Sequence, residues 1–581
     1  MSGPAANLAK LFAYLQPYWG RVAQGVAALL VVNLLSVWIP LLVGDAIDRI
    51  TEAGQLLRYV VAILVLASLM WVIRMLSRIW LFGIGRRIEY DLKQKIFSHL
   101  LCLEPAYFAT NPPGDLISRA TSDVENVRRL FGFAILSLAN TFFAYIITLP
   151  VMLAISVPLS LVALIPYPLI SLVVHFFSER LRNEQQEVQE GLSDLSDLIQ
   201  EDMSGIAPIK IYAQEESERR EFARRNDRLL DANLRLAQTR NVLFPSIEGM
   251  ASLSLLGLLY LGAQQLAQNG ITPGSFIELI LLAQRLTFPV ALLGFTITAY
   301  QRGEVSLARV EAILSVPPQI ADTAAAADFP IADARGHLQA KSLSYHYSDN
   351  PTAALAGVDF VIKPGETVAI VGAVGAGKTT LANALPRLLD IGSGQLFLDD
   401  RDITHLKLQD LRRAIAYVPQ ESFLFSATIA DNIAFGCPES ASEAIERAAQ
   451  TAQIHSEILN FPRQYATLVG ERGITLSGGQ RQRAALARAL LMDAPVLILD
   501  DALSSVDNQT ATRILANLSK GIRRKTVLFI SHQLAAAARA DRILVMDRGR
   551  IVQNGTHQEL CELPGPYRQL WEQHQLETAL R

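Results

Sequence analysis

The chain has 581 residues, 51% hydrophobic content, 18% charged residues and a formal net charge of −3. This length exceeds what one compact domain usually holds, so two or more domains are expected. The near-neutral charge gives no electrostatic reason to expect a nucleic-acid partner. The three cysteines, Cys102, Cys437 and Cys561, match no metal or redox spacing, and we expect reduced thiols. The first residues lack the pattern of a signal peptide, so none is expected.

Long uncharged runs in the first half predict six membrane crossings. A helix rises about 1.5 Å per residue, and the hydrocarbon core is about 30 Å thick. The run Leu130–Ser178, whose only charge-bearing residue is His175, is more than twice as long as one crossing needs. It must therefore be a hairpin, and its turn is expected at Ser156-Val157-Pro158. The other runs are Val22–Gly44, Tyr59–Gly85 with Arg74 and Arg78 inside it, Gly249–Ile277 and Leu286–Gln301. So many runs of this length disfavour a soluble protein with buried helices.

The placement of Lys and Arg predicts the orientation of these crossings. The segments Arg86–Arg129 and Glu179–Arg240 are rich in basic residues, which keep such loops in the cytoplasm. An even number of crossings then places both termini and the second half in the cytoplasm, in a plasma (inner) membrane. We expect Leu8–Tyr18 to be an interfacial lead-in helix. Short cross-pieces around Asn111–Asp123 and Gly205–Gln214 should close the two cytoplasmic helix pairs.

Four charged residues interrupt the apolar runs: Arg74, Arg78, Glu278 and Arg285. Such residues usually face a bundle interior or an aqueous cavity, because exposure to lipid is costly. Glu278 and Arg285 are seven residues apart and fall on one helix face. The pattern is compatible with a polar substrate path, and the alternatives are pairing between helices or positions near the membrane interface.

The sequence changes from apolar to charged after Gln301. A charged helix is expected over Arg302–Leu314, and we predict a membrane domain over residues 1–316, a linker over 317–335 and a second domain over 336–581. Short apolar strands alternate with helical segments in the second domain, which indicates an α/β core. These strands are Thr367–Val371, Val496–Leu499 and Thr526–Ile530.

A phosphate-binding loop follows the first of these strands. The segment from Gly372 to Thr379 fits G-x-x-x-x-G-K-[ST] and precedes a helical stretch, which is the context that the motif requires. Its glycines let successive N–H groups and the helix N-terminus face an anion. Lys378 is expected to reach the β- and γ-phosphates of ATP, and the Thr379 hydroxyl to ligate Mg²⁺. The predicted nucleotide-binding residues of this loop are Gly372, Gly375, Gly377, Lys378, Thr379 and Thr380.

Two further motifs complete the predicted ATP site. The strand that begins at Val496 ends in Asp500 and Asp501, and carboxylates in that place suit Mg²⁺ binding and water activation. Before it, the sequence L-S-G-G-Q starts a helical run over Arg481–Met492 and offers a second anion site at a helix start. Its predicted nucleotide-binding residues are Ser477, Gly478, Gly479 and Gln480.

These motifs together resemble the ABC exporters that are built as half-transporters, with the membrane domain fused ahead of the nucleotide-binding domain. The resemblance covers nearly the whole chain. It implies a multi-domain fold, with an all-α polytopic membrane domain of six transmembrane helices followed by an α/β P-loop ATPase domain. It also implies a head-to-tail dimer of half-transporters that holds two ATP molecules with Mg²⁺, and ATPase activity coupled to translocation.

The resemblance also implies roles for individual residues. Tyr347 would stack on adenine, and Gln420 would contact Mg²⁺ and the attacking water, so that the implied metal ligands are Thr379, Gln420 and Asp500. His532 would be the switch histidine, and the L-S-G-G-Q residues would grip the γ-phosphate of the partner's ATP. Further family positions are Glu471 in an exporter-type contact motif, Asp507 in the loop joining the two sites, and coupling regions at NPPGDLISRATSDVE and GIAPIKIYAQE.

The sequence departs from the family pattern at Asp501, where the general base is usually glutamate. The side chain is shorter by one methylene, and a misplacement of about 1 Å can reduce a rate roughly 100-fold. Asp at this position resembles the degenerate member of heterodimeric exporters. Lys378, Gln420 and His532 are intact, however, so a homodimer that uses Asp501 as its base stays open.

The direction and nature of transport are also open at the level of the sequence. A soluble ABC ATPase would lack the apolar runs, an ATP-gated channel would pass ions down a gradient, and an importer of the siderophore type would use the same scaffold. The sequence does not name the substrate. By analogy with the family, we expect export of a small amphipathic, drug-like or lipid molecule from the bilayer.

Overall fold

A computed structural model describes most of the chain, and its residues form two compact units. It describes residues 11–49, 53–323, 326–347, 352–470, 473, 475–504, 506, 510–511, 513–514 and 525–579. The first unit comprises Met1–Leu101 and Pro112–Val316, and the second comprises Cys102–Asn111 and Pro317–Arg581.

The described residues of the first unit form helices joined by short turns, and the short helix that follows Leu101 belongs to the second unit. Within the described residues, six helical spans are long and apolar enough to cross a membrane, as predicted. The helices up to residue 314 are α1 (Trp19–Asp48), α2 (Ala53–Leu100), α3 (Pro105–Thr110), α4 (Pro113–Ser118), α5 (Val124–Arg129), α6 (Ile135–Ile155), α7 (Val157–Leu164), α8 (Pro166–Ser204), α9 (Ile206–Ile211), α10 (Glu215–Ala267) and α11 (Pro273–Leu314).

The predicted hairpin turn is confirmed. Ser156 is extended, with φ −159° and ψ 115°, between α6 and α7. Pro158 stands in the first turn of α7, where its missing N–H costs nothing. The second predicted cross-piece is also present, as α9.

The prediction for the first cross-piece was wrong in its position. The separate short helix is α3, which begins at Pro105, whereas residues from Pro113 onward begin the third long span. That span runs through α4, α5 and α6 without a break, because two π-helical turns, Arg119–Asp123 and Leu130–Ala134, join the three segments. Both Pro105 and Pro113 occupy first-turn positions, so either proline can start a helix.

Large apolar side chains on α2 point away from the unit. Trp71 is 67% exposed and Leu64 is 66% exposed. Apolar exposure on this scale in a helix of spanning length fits contact with lipid or with another subunit.

A glycine on α2 sets how closely this helix packs against the third span. A Cβ added at Gly85 would lie 2.8 Å from the Arg128 carbonyl oxygen and 3.2 Å from the Gly132 nitrogen, and both atoms are backbone. Small residues of this kind let membrane helices approach closely. We expect Gly85→Ala to lower the free energy of unfolding of the detergent-solubilised protein by about 1–3 kcal/mol, because the backbone has to shift. The variant should therefore melt at a lower temperature than the unmodified protein.

Gly83 on the same helix is the matched control for this prediction. A Cβ at Gly83 has nothing within 4 Å, so Gly83→Ala should be neutral or slightly stabilising. Equal melting temperatures for the two variants would show that the close helix approach at Gly85 does not contribute to the stability of the protein.

The second unit is an α/β domain with two sheets. Its strands are β1 (Leu338–Tyr345), β2 (Leu355–Ile362), β3 (Thr367–Val371), β4 (Leu396–Leu398), β5 (Arg401–Asp402), β6 (Ile415–Val418), β7 (Val496–Asp500), β8 (Thr526–Ile530), β9 (Arg542–Asp547) and β10 (Arg550–Gly555). Its further helices are α12 (Lys378–Ala384), α13 (Leu408–Ala414), α14 (Ile429–Ile433), α15 (Ser442–Thr451), α16 (His455–Leu459), α17 (Gly478–Leu491), α18 (Leu534–Ala537), α19 (His557–Glu562) and α20 (Pro566–Ala579).

The larger sheet carries the core of this unit. Its strand order is β10-β9-β3-β8-β7-β6, with β10 antiparallel to β9 and the remaining neighbours parallel, while β2-β1-β4-β5 form a smaller antiparallel sheet. Both faces of β7 are buried: Leu497 and Leu499 join one apolar cluster, and Val496 and Ile498 join another. Burial on both faces explains why the predicted strands read as unbroken apolar runs. The predicted fold class is thus confirmed.

Candidate nucleotide-binding site

The large sheet brings two predicted motifs to the same edge. Strand β8 lies between β3 and β7, and Ile530 aligns with both Ile370 and Asp500. The carboxyl ends of parallel strands meet at one edge of a sheet, where ligands usually bind. The loop after β3 therefore begins at the same edge as the acidic end of β7, with one strand between them.

The loop between β3 and α12 has the backbone that its glycines predict. Gly372, Gly375 and Gly377 have φ values of 153°, 81° and 95°, which side chains with a Cβ rarely adopt. A Cβ at Gly377 would also lie 2.5 Å from the Ala354 carbonyl oxygen. The loop is thus shaped by glycine at these positions, and α12 starts directly after it at Lys378.

A cavity of about 420 Å³ opens over this loop and collects most of the predicted site residues. Its volume lies in the range of small-molecule sites. The predicted residues that line it are Tyr347, Gly375, Gly377, Lys378, Thr379, Thr380, Gln420, Asp500, Asp501 and His532. Thr352, Ala353, Ala354, Val374, Ala376 and Ile530 also line it.

Lys378 is held inside the loop. Its Nζ donates hydrogen bonds to the carbonyl oxygens of Gly372, at 2.9 Å, and Ala373, at 2.8 Å. Burial lowers the pKa of this ammonium group, although the charges of Asp500 and Asp501 oppose the shift. The ammonium is therefore already positioned over the loop, and an anion that enters the cavity would relieve its desolvation.

Asp500 is buried and only weakly hydrogen-bonded. Its oxygens accept from the Thr379 hydroxyl at 3.3 Å and the Tyr417 hydroxyl at 3.4 Å, and the residue is 1% exposed. Burial raises the pKa of the carboxyl and the charge of Asp501 adds to the rise, whereas the two hydrogen bonds and Lys378 oppose it. Carboxylate, hydroxyl and amide oxygens are the donors that Mg²⁺ prefers. The donors of Asp500, Thr379 and Gln420, which line one cavity, therefore fit this metal.

Asp501 occupies a turn that suits aspartate. Its φ is +49°, a left-handed conformation that Asp tolerates better than most residues. The N–H of Asp501 donates to the Ile530 carbonyl at 3.0 Å, and its own carbonyl accepts from the Ser504 hydroxyl at 2.9 Å. Gln482 of α17 donates to that hydroxyl at 3.0 Å, so hydrogen bonds join α17 to this turn.

Tyr347 lines one wall of the cavity, and the residue is 40% exposed. Its hydroxyl is 3.4 Å from the Thr380 hydroxyl, and its ring packs edge-on against Tyr345 at a centroid distance of 5.0 Å. An exposed ring fixed in this way offers a face for stacking.

The L-S-G-G-Q residues lie elsewhere in the unit, at the start of α17. Ser477 and Gln480 form a capping box: the Ser477 N–H donates to Gln480 Oε1 at 2.9 Å, and Ser477 Oγ accepts from the Gln480 N–H at 3.3 Å. Gln480 Nε2 donates to Glu457 at 2.9 Å, so its amide is engaged within the chain. Among the described residues, none of the four from Ser477 to Gln480 lines the cavity over the phosphate-binding loop.

Some predicted positions are not placed in the cavity. Gly372 is not among the lining residues, although its carbonyl oxygen accepts a hydrogen bond from Lys378, which is. Glu471 and Asp507 lie outside the described residues, as does Arg472 beside Glu471.

Tyr417 is a site residue that the sequence analysis missed. Its hydroxyl donates to Asn383 at 2.8 Å as well as contacting Asp500, and burial and the charge of Asp500 raise its pKa. Tyr417 lies on β6, which pairs with β7. Tyr417 lies three residues before Gln420, which the sequence analysis assigned to the site, but the pairing of β6 with β7 is not readable from the sequence.

In the membrane unit, the structure separates the two charged residues that share a face of α11. Arg285 donates to the Asn33 side chain at 2.7 Å and to the Thr148 hydroxyl at 3.1 Å. Glu278 is 7% exposed and packs against Gly44. Arg285 of α11 therefore pairs with residues of α1 and α6, which is one of the alternatives that the sequence left open.

Comparison with known proteins matches both halves of the chain. Residues 21–290 match the family model described as ABC transporter transmembrane region, and residues 355–504 match the model described as ABC transporter. The chain is 33% identical over 583 residues to the multidrug resistance-like ATP-binding protein MdlA of Escherichia coli, with 98% of each chain covered. It is 32% identical over 570 residues to the ATP-dependent lipid A-core flippase of Chromohalobacter salexigens, covering 98% of this chain and 97% of that protein.

A solved structure has the same fold. The structure of a bacterial Atm1-family ABC exporter with ATP bound superposes with a TM-score of 0.78, at 24% identity, over 95% of this chain and 99% of that one. A half-transporter of this architecture dimerises and resides in a membrane, which fits the six spans. The chain belongs to the ABC transporter family, as a nucleotide-binding, multi-pass membrane protein of the exporter type whose ATPase activity drives transport.

Proposed function

We propose that this chain is one half of a dimeric exporter that moves a small amphipathic, drug-like or lipid molecule out of a plasma (inner) membrane, with its ATPase domain in the cytoplasm. The observation that carries the proposal is the cavity over the phosphate-binding loop, which places Lys378, Asp500 and His532 around one space. The names of the two relatives, which refer to multidrug resistance and to lipid A-core flipping, support the substrate class.

In this proposal the loop binds the triphosphate of ATP and Tyr347 stacks on its adenine. Lys378 exchanges its two carbonyl contacts for oxygens of the β- and γ-phosphates, and the loop N–H groups and the start of α12 bind the same anion. Thr379, Gln420 and Asp500 hold Mg²⁺, which, when bound, neutralises charge on the phosphates.

Asp501 accepts the proton of the attacking water, Gln420 orients that water, and His532 donates a hydrogen bond to the γ-phosphate. The three side chains line the same cavity. A positioned general base typically contributes a factor of roughly 10²–10⁴ to the rate.

Ser477, Gly478, Gly479 and Gln480 act on the ATP that the partner subunit holds. Their separation from this chain's own cavity supports that division of labour. Gln480 is engaged with Glu457 and fixes the start of α17. The Ser477 hydroxyl accepts from the Gln480 N–H but can still donate its own hydrogen to the phosphate, beside the glycine N–H groups. Closure of the dimer over ATP would then drive the membrane helices, since ATP binds the closed state more tightly than the open one.

The partner in this proposal is a different half-transporter. Asp501 is shorter than glutamate, so the chain's own site hydrolyses slowly, and its intact L-S-G-G-Q segment serves a faster site on the partner. The competing arrangement is a homodimer in which Asp501 is sufficient, and the variants discussed below separate the two.

A vesicle assay tests transport itself. Proteoliposomes that contain this chain together with its co-expressed partner, with the ATPase domains facing outward, should accumulate a fluorescent amphiphile when Mg·ATP is added. Proteoliposomes with Lys378→Ala should accumulate less of it, because ATP bound by this chain no longer stabilises the closed dimer. Movement in the opposite direction would identify an importer, and ion flux down a gradient would identify a channel. Either result would overturn the exporter proposal.

A further inference from the structure

Tyr417 and Asp500 project to the same face of the larger sheet. Tyr417 on β6 pairs with Ile498 on β7, and Asp500 follows Ile498 by two residues. Side chains two residues apart on a strand share a face. Ile498 and the ring of Tyr417 pack in the apolar cluster that also contains Leu381 of α12. The face that carries Tyr417 and Asp500 is therefore the one against which the helix after the phosphate-binding loop packs.

The two carboxylate oxygens of Asp500 have different partners. Oδ1 accepts from the Thr379 hydroxyl at 3.3 Å, and Oδ2 accepts from the Tyr417 hydroxyl at 3.4 Å. Among the side chains that the structure describes, Tyr417 alone donates to Oδ2. Thr379 and Asp500 line the cavity as proposed ligands of Mg²⁺, whereas Tyr417 is not among the lining residues. Tyr417 therefore acts on a metal in this cavity only through Asp500.

The orientation of the Asp500 carboxylate depends on these hydrogen bonds. The torsion that turns a carboxylate about its Cβ–Cγ bond has broad minima, so the torsion itself selects no sharp orientation. Asp500 is buried, and a buried oxygen without a donor is costly. Loss of the Tyr417 hydroxyl would leave Oδ2 in that state and favour a turn of the carboxylate, which would move Oδ1 away from Thr379.

The hydroxyl of Tyr417 is itself held by α12. It donates to Asn383 Oδ1 at 2.8 Å, and Asn383 lies on the helix that starts at Lys378, directly after the phosphate-binding loop. A phenol has one hydrogen to donate, and here it faces two acceptors, the Asn383 amide oxygen and the Asp500 carboxylate. Tyr417 thus connects the acidic end of β7 to the helix that follows the loop.

We propose that Tyr417 is a positioning residue for the metal of the nucleotide site, because its hydroxyl holds Asp500 with Oδ1 beside the Thr379 hydroxyl. This inference rests on the proposed function and adds to its metal site a residue that supports a ligand from outside the cavity. Residues that hydrogen-bond to metal ligands typically change metal affinity by about 10- to 100-fold when they are replaced.

A tyrosine on an inner strand can instead serve only to fill the core. The ring of Tyr417 does pack against an apolar cluster. Phenylalanine fills nearly the same volume and lacks only the hydroxyl, so Tyr417→Phe separates the two roles. If Tyr417 only fills the core, this variant will bind metal as tightly as the unmodified protein.

Manganese binding to the full-length chain in phosphatidylcholine nanodiscs tests the proposal. Mn²⁺ is the probe, the protein is saturated with the non-hydrolysable analogue AMP-PNP, and free Mn²⁺ is measured by electron paramagnetic resonance. Empty nanodiscs with the same nucleotide give the background. We expect Tyr417→Phe to weaken Mn²⁺ binding by roughly tenfold or more. Its affinity for AMP-PNP in EDTA should stay unchanged, because the loop keeps its glycines and Lys378.

Two outcomes of this measurement would overturn the proposal. One is equal Mn²⁺ affinity of Tyr417→Phe and the unmodified protein. The other is an equal loss of AMP-PNP affinity in EDTA, which would mean that the variant damages the phosphate-binding loop rather than the metal site.

Two further variants locate the effect. Tyr465→Phe removes another half-buried hydroxyl, which lies 2.8 Å from His455 Nδ1 and away from the cavity lining, and it should leave Mn²⁺ affinity unchanged. Asn383→Ala removes the second acceptor but keeps the contact between Tyr417 and Asp500, so Mn²⁺ should bind at least as tightly as in the unmodified protein. A loss in either variant equal to that in Tyr417→Phe would contradict the proposal.

ATP hydrolysis gives an independent measurement. The Mg²⁺ concentration that half-saturates hydrolysis should rise roughly tenfold in Tyr417→Phe, while the rate at saturating Mg²⁺ should fall by less than about threefold. A lower saturating rate with unchanged half-saturation would contradict a role in metal positioning. Unchanged Mn²⁺ affinity in Tyr417→Phe would overturn only this inference, whereas failure of the unmodified chain to bind Mn²⁺ with AMP-PNP would overturn the proposed function as well.

Discussion

Lys378→Ala should reduce ATP hydrolysis at this chain's site by about 100-fold or more. The ammonium is buried and fixed by two loop carbonyls, and in the proposed function it binds the phosphates of ATP. Removing one such stabilising donor costs on the order of 10²–10³ in rate. The measurement is phosphate release from the full-length protein in nanodiscs at saturating Mg·ATP.

Lys363→Ala is the control for this variant. Lys363 is exposed in the turn between β2 and β3, close to the loop in sequence but not among the residues that line the cavity. The Lys363→Ala protein should hydrolyse ATP at the same rate as the unmodified protein. If Lys378→Ala kept more than half of the activity, the cavity would not be the hydrolytic site.

Asp501→Glu should raise hydrolysis by this chain alone, by about 10- to 100-fold, if the short carboxylate limits the rate. Asp501→Asn keeps the shape but removes the base and should reduce the remaining rate by about 100-fold. Glutamate fits φ +49° less well than aspartate, so Asp501→Glu should also cost up to about 1 kcal/mol of stability.

The pair of Asp501 variants also decides between the two kinds of dimer. Slow turnover that Asp501→Glu or a co-expressed partner raises would support a heterodimer. Robust turnover of the unmodified chain, unchanged by Asp501→Glu and lost in Asp501→Asn, would mean a homodimer with an aspartate base. Melting curves of each variant separate these outcomes from unfolding.

The helices and strands were largely predictable because their signals are local. Uncharged runs marked the membrane helices, Ser156 and Pro158 marked the hairpin turn, and apolar runs marked β3, β7 and β8. The phosphate-binding loop was equally clear, since the motif, the preceding strand and the following helix all lie within one short segment.

Features that depend on distant parts of the chain were not predictable. Tyr417 reaches Asp500 only because β6 pairs with β7, and no local pattern encodes that pairing. The position of the first short helix was missed for a different reason: Pro105 and Pro113 are equally good helix starts.

The segment Cys102–Asn111 matters for anyone who wants to study the ATPase half by itself. It is compact with Pro317–Arg581, and its Glu104 carboxylate accepts a hydrogen bond from the Gln319 N–H at 3.4 Å. A gene fragment that starts at residue 317 or 336 encodes a protein without this segment. The surface that the segment covers in the full chain is then exposed to solvent. Dissection of this transporter into soluble pieces is therefore better done by supplying the excised peptide in trans, or by grafting it through a linker, than by truncation alone.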